Sequence, residues 1–180
     1  MIDTKRLRLR PFTDLDLDAL LSYRRDPEVA RYQGWSSDFS EADGRSFIQA
    51  VSTTRLGEPG RWCNLAVELL ATGEVVGDVG LCAEPNDPRG KIGFTLARPH
   101  QRRGYAVEAG AALCDHALGA IRLSSLFAVV DSRNGPSIRL LERLGFRPAG
   151  FHQKGASFKG ELCDELLFER YAARGELTSF

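Results

Sequence analysis

Six residues, Gln101-Arg102-Arg103-Gly104-Tyr105-Ala106, set two guanidinium groups beside a lone glycine where a strand-like run gives way to a helical one. The chemistry open to such a stretch is anion binding. A helix amino terminus exposes unpaired N–H groups and the positive end of the helix dipole. Glycine there lets a phosphate reach the backbone with no side chain in the way. On spacing alone, a solvated surface loop ahead of a tightly packed helix accounts for the same residues equally well. Neither G-x-x-x-x-G-K-[ST] nor G-x-G-x-x-G occurs, which argues against a nucleotide-binding domain.

A second stretch, Asp131-Ser132-Arg133-Asn134-Gly135-Pro136-Ser137, follows a short apolar run and enters another helix, closed by Leu144-Gly145-Phe146. Taken alone, Asn134 reads as a cap or turn residue and Ser137 as a first-turn hydroxyl. Two strand-to-helix crossings at this separation are far more specific than either one. Carboxylates that could take a proton are Glu68 and Asp78, in neighbouring strand-like segments, although most strand carboxylates are simply solvated. His100, His116 and His152 are scattered, and Cys63, Cys82, Cys114 and Cys163 form no C-x-x-C pair. No metal site is read from them.

The elements that must position these groups follow from periodicity and punctuation. Arg6 to Arg10 alternates charge with leucine, as a half-buried strand does. Thr13-x-x-Asp16 and Ser40-x-x-Asp43 open two helical patterns, with loop between them at Gln33 to Phe39. Asn64 to Leu70 and Glu74 to Leu81 read as a hairpin about Ala71-Thr72-Gly73, and Pro85 to Gly90 as a strong turn. Lys91 to Ala97 is a strand. A helix from about Tyr105 to Leu118 carries Val107, Gly110, Ala111, Cys114 and Leu118 on one stripe. Leu126 to Val130 reads as a strand buried on both faces. Pro136 to Leu144 is a short helix, with proline near its start and Gly145 after its end. Strands at Phe146 to Gln153 and Leu162 to Phe168 flank a loop at Lys154 to Ser157. The expected fold is a single mixed α/β or α+β domain, residues 1–180, on one central sheet.

Composition narrows the function classes. The chain has 180 residues, and Lys plus Arg equals Asp plus Glu at 24 each. With no net charge, bulk attraction to nucleic acid or an anionic membrane is not expected, so any anion binding must be local. The charged amino terminus shows no secretory signal and no apolar run approaches membrane-spanning length. Widely spaced cysteines read as reduced thiols, which points to the cytoplasm.

On these residues the chain resembles the GCN5-related N-acetyltransferase (GNAT) family. It is most similar to the branch that includes the ribosomal-protein acetyltransferases RimJ and RimL. The resemblance is firm from Ile92 to Phe146: Gln101 to Ala106 stands as the family's [Q/R]-x-x-G-x-[G/A] signature, and Asn134 to Phe146 as its asparagine to glycine-phenylalanine element. It implies a mixed, mostly antiparallel sheet with two splayed parallel strands, flanked by helices, and acetyl-CoA bound between those strands. Thr95, Leu96 and Ala97 would offer backbone groups to the pantetheine and thioester. Gln101, Arg102, Arg103, Gly104, Tyr105 and Ala106 would cradle the pyrophosphate, with Asn134 also on the cofactor. The implied reaction is acetyl transfer to a primary amine, a small molecule or a protein amino terminus, without metal; the branch allows a homodimer.

Two departures bear on mechanism. The tyrosine that many relatives use as general acid is Leu141 here, and Ser137 matches the serine of the RimL-like branch. Ser137 serves equally as a structural or CoA-binding hydroxyl. The acid that relatives place before the Ile-Gly pair is replaced by Lys91, leaving Glu68 and Asp78 as base candidates. Acceptor choice is expected from the loops around Trp35, Ser40 to Thr54 and Lys154 to Lys159. The rival function is an acyl-CoA-binding sensor that transfers nothing.

Overall fold

The alternation at Leu7-Arg8-Leu9-Arg10 buries both leucines completely and turns the arginines to the opposite face of strand β2, Leu7–Pro11. A two-residue strand β1, Ile2–Asp3, pairs with it at the sheet edge, too short for any periodic signal. In this computed structural model residues 1–172 are described, the side chains of residues 154–158 excepted.

Both capping patterns open helices. A single 3-10 turn at Asp14–Asp16 leads into α1, Leu17–Arg24, and Asp16 Oδ2 accepts from the Thr13 N–H at 2.7 Å. Ser40 and Asp43 bond reciprocally ahead of α3, Glu41–Ser52, at 2.8 and 3.1 Å. Between them the sequence reading missed α2, Pro27–Ala30, although Asp26 caps it and proline stands at its start.

Strands β3, Cys63–Leu69, β4, Val75–Ala83, and β5, Arg89–Leu96, follow as an antiparallel meander. Helix α4, Tyr105–Gly119, crosses to β6, Ser125–Asp131; α5, Gly135–Arg143, then leads to the hairpin of β7, Arg147–Phe158, and β8, Glu161–Tyr171. The eight strands run in the order β1-β2-β3-β4-β5-β6-β8-β7, and every pairing is antiparallel except β5 with β6. The expected mixed sheet is therefore present. No helix among the described residues is long and apolar enough to cross a membrane.

Two apolar layers close the sheet. One joins α4 and α5 to Leu7, Leu9, Leu81, Ile92 and Leu126; the other joins α1 and α3 to Phe12, Ala66 and Val75. The α4 stripe falls at Ala109, Gly110, Leu113, Cys114 and Ala117, rotated from the expected one. Leu144 presses on Gly110, where an added Cβ would sit 2.7 Å from it, so packing rather than hydropathy sets the buried face. Strand β6 is buried through Leu126, Ala128 and Val130, but Val129 is exposed, so it is not covered on both faces as expected. The expected loop at 154–157 belongs to β7, and the chain turns instead at Lys159 and Gly160, both with positive φ.

Candidate active site

The site begins where two strands part. β5 and β6 pair only from Arg89/Ser125 to Lys91/Phe127, after which each continues alone toward its carboxyl end. Which backbone groups face the gap follows from ladder parity. Ala97 N–H donates to Val76 C=O at 2.8 Å, and Glu84 N–H to Arg89 C=O at 2.9 Å, so odd-numbered residues of β5 bond to β4. Thr95 and Ala97 are thus engaged in the sheet. Phe94 and Leu96 turn their N–H and C=O toward the gap. Of Thr95, Leu96 and Ala97, whose backbone groups were expected on the cofactor, Leu96 turns them to the gap; Phe94 does so too, which the sequence does not show because parity is invisible in it. Gln33 and Gln101 donate to the Phe94 and Leu96 carbonyls at 3.4 and 3.0 Å.

At the far end of β5 lies the loop 101–104. Gly104 caps α4 with φ +82°, a conformation that favours glycine, and Arg102 is also left-handed. The first bond of α4 runs from Glu108 N–H to Gly104 C=O at 3.0 Å, so the N–H groups of Tyr105, Ala106 and Val107 lie outside the helical ladder. Arg102 and Arg103 are exposed beside them. Arg6 braces the loop: it donates to Arg103 C=O at 3.1 Å, pairs with Glu108 at 2.7 Å and lies over the Tyr105 ring at 4.6 Å. Nothing near Arg6 in sequence marked it. Burial works to raise the Glu108 carboxyl, but bonds from Thr4 and Arg6 outweigh it and hold it below the usual range. The backbone donors, positive φ and cations fit a pyrophosphate; a Cβ on Gly104 would stand in that space, 3.3 Å from Arg6.

On the opposite face of β5 a cavity of about 750 Å³ opens, within the range of small-molecule sites. Its floor is Lys91, Gly93 and Thr95, with Asp78 on β4, Asn64 on β3, and Val129 and Asp131 across the gap on β6. Trp35, Phe47 and Trp62 supply aromatic walls. The Trp35 loop and the segment 40–54 were expected to shape acceptor choice, and both reach the cavity; the side chains at 154–158 lie outside the described residues.

The base candidates separate. Asp78 is 2% exposed, accepts from Tyr23 Oη and Asn64 Nδ2 at 2.8 Å each, and faces Arg24 at 3.5 Å. Burial first, then the Asp78 charge, pushes the Tyr23 phenol up, so it remains a donor. Glu68 is not on the cavity wall. It accepts from Arg10 Nε at 2.5 Å, and the rest of the Arg10 fork holds Asp16 at 2.7 and 2.8 Å. Two other carboxylates do line the cavity, Asp131 and Glu165. The Arg133 fork holds Asp131 below the usual carboxylate range, whereas Glu165 has no ion pair among the described residues.

Asn134 caps α5 by accepting from Ser137 N–H at 3.3 Å, and Ser137 is half-buried in the first turn. Leu141, one turn on, is 1% exposed in the core and offers no acid. None of the four cysteines is in a disulfide, and no cluster of metal-binding side chains occurs among the described residues.

Residues 6–147 match the profile of the acetyltransferase (GNAT) domain family. The chain belongs to the GNAT acetyltransferase family. It is 33% identical to the uncharacterized N-acetyltransferase p20 of Bacillus licheniformis, over 92% of each chain. Its structure is similar to that of a GNAT-family acetyltransferase from Bacillus anthracis, with a TM-score of 0.87, 25% identity, and 95% and 98% of the two chains covered. The fold is also that of Mycobacterium smegmatis RimJ, solved with CoA-disulfide: TM-score 0.77, 23% identity, 93% and 86% covered. The family expected from Gln101 to Ala106 and Asn134 to Phe146 is the family found. The likeness to RimJ shows the shared fold, not the branch.

Proposed function

We propose that this acetyltransferase moves an acetyl group from acetyl-CoA to a primary amine. The observation that carries the reading is the parting of β5 from β6, with an anion cradle at one end and a charged, aromatic cavity opening on its other face. Acetyl-CoA would supply the activated thioester. Residues 101–106 would hold its pyrophosphate through the free N–H groups of α4 and the two arginines, with Asn134 also on the cofactor. Phe94 and Leu96 would bond the pantetheine as an added strand does, and a gap-facing N–H would stabilise the tetrahedral oxyanion. Overall a C–N bond forms, the C–S bond breaks, the amine loses a proton and the thiolate gains one. The Ser137 hydroxyl, at the head of α5 on the β6 side, would return that proton to sulfur.

For the amine proton, Asp78 and Glu165 are the wall carboxylates not held in an arginine fork. Asp78 accepts two bonds besides the Arg24 contact, so it would act through its remaining lone pair. A weakly served base favours α-amino groups, with solution pKa about 7.7–8.0, over lysine amines near 10.4. A protein amino terminus would be one such acceptor and a homodimer the assembly, as the family resemblance implies; four cysteines with no disulfide between them suit a reducing, cytoplasmic setting. An acyl-CoA sensor would not need the charged wall beyond the gap.

Calorimetric titration with acetyl-CoA, paired with thiol release over an amine panel, tests the reading. Saturable binding with amine-dependent release is expected; binding with no release to any amine identifies a sensor instead. Within the active enzyme, Ser137→Ala is expected to lower kcat about 100-fold. Its effect on acetyl-CoA affinity should stay within about threefold, and an equal loss in both would reassign the hydroxyl to binding.

A further inference from the structure

Arg24 and Arg10 are both withdrawn from solvent, and the fold treats them differently. Arg10 makes a two-pronged fork to Asp16 at 2.7 and 2.8 Å and a third bond to Glu68. The Arg24 side chain is 6% exposed, yet its charge contact is a single 3.5 Å approach to Asp78, longer than a tight charge-assisted bond. Its Nε is buried with no hydrogen-bond partner among the described residues. Trp35 and Phe47 pack against the guanidinium, with ring centroids 3.9 and 4.0 Å from its carbon, and the residue lines the cavity. A buried guanidinium left short of acceptors is costly unless something completes it. With rings stacked against it, its edge remains for a partner, and an edge-on fork matches a planar carboxylate.

The rest of the wall agrees. The cavity is lined by three cations, Arg24, Arg61 and Lys91, and three carboxylates, Asp78, Asp131 and Glu165. Asp131 pairs with Arg133 and Arg61 with Glu58, which leaves Lys91 and Glu165 in no ion pair among the described residues. A neutral cavity with one cation and one carboxylate uncommitted is the complement of a zwitterion. A phosphate dianion fits less well, because Asp78 already stands beside Arg24 and the wall has no excess positive charge to offset it.

We propose that the acceptor is an amino-acid-like zwitterion: a primary amine that carries its own carboxylate, which Arg24 binds edge-on. Lys91 adds a second positive charge, and the aromatic walls take an apolar side chain. The inference rests on the transferase reading and narrows its acceptor from any primary amine, a protein amino terminus included, to one bearing a free acid.

The test compares acceptors of one body under saturating acetyl-CoA: phenylalanine, its homologue with one more methylene before the carboxylate, phenylalaninamide, 2-phenylethylamine, and an amidated peptide beginning with phenylalanine. Rates are compared at equal concentrations of unprotonated amine. The better of the two acids is expected to exceed the amide, the plain amine and the peptide by at least about 100-fold in kcat/KM. Arg24→Lys keeps a cation beside Asp78 but loses the fork, and should shrink that ratio below about 10-fold. Transfer to the amide, amine or peptide as fast as to the acids overturns the acceptor inference while leaving the transferase reading intact. So does an Arg24→Lys variant that loses activity equally on all of them. Acetyl-CoA binding with no transfer to any acceptor overturns both.

Discussion

Six consecutive residues, 101–106, make the cradle ahead of α4, whereas the cavity draws its walls from α1, the loop 31–39, α3 and strands β3, β4, β5, β6 and β8. The cradle works through its backbone. It needs a glycine at φ +82°, a helix start and nearby cations, all of which neighbouring residues can supply. The cavity works through side chains. Arg24 and Asp78 meet there, with Tyr23 bonded to Asp78 in the core behind them, only because α1 packs across β4. A backbone site is therefore written locally and is vulnerable at one position. A convergent site is written across the whole chain, and its parts also hold the fold together.

That contrast predicts different failures. The largest effect is expected from Asp78→Asn, which leaves Arg24 buried without a charge partner. Breaking such a pair removes about 3–5 kcal/mol of stability, measured by urea unfolding. Acetyl-CoA affinity of the folded variant should change less than about twofold, since Asp78 touches nothing in the cradle. A stability loss under about 1 kcal/mol would show that the cavity network is not structural.

Next is Gly104→Val. The side chain would sit where phosphate approaches, at a φ that branched residues resist, and acetyl-CoA affinity should fall about 1,000-fold. Some strain will reach the fold, so the folded fraction is checked by circular dichroism before calorimetry. Unchanged affinity would remove the cradle from the site.

The smallest effect concerns the Arg6 brace. The Glu108 carboxyl is held below its unfolded value, so the stability it adds is complete above about pH 4.3 and is lost as pH falls through the lower folded value. Glu108→Gln should flatten the acid limb of stability between pH 5 and 3 by less than about 1 kcal/mol. An unchanged slope would mean that Arg6 is held by the Arg103 carbonyl and the Tyr105 ring alone.

Much of this molecule is readable from local chemistry. Ser40 with Asp43, Thr13 with Asp16, and Pro136 with Gly145 place three helices, because caps and turns depend on residues within one helical turn. The loop 101–106 and the Asn134 to Phe146 element carry the family for the same reason. The α4 stripe was misplaced because Leu144, more than thirty residues on, decides which face of that small-residue helix is buried. Side chains that stand alone in the sequence gave no signal either: Arg24 and Arg6 are two arginines among many until their partners are in place.

By itself the sequence determined the strand and helix punctuation, the glycine cradle and the family, since each depends on groups a few residues apart. The tertiary structure alone decided which backbone groups of β5 face the gap, because a strand's hydrogen-bonding parity exists only once β4 is paired with it. It alone decided that Glu68 serves Arg10 while Asp78 serves the cavity. Both are strand carboxylates ten residues apart on the α1 side of the sheet, and what separates them is which cation, Arg10 or Arg24, the packing brings within reach.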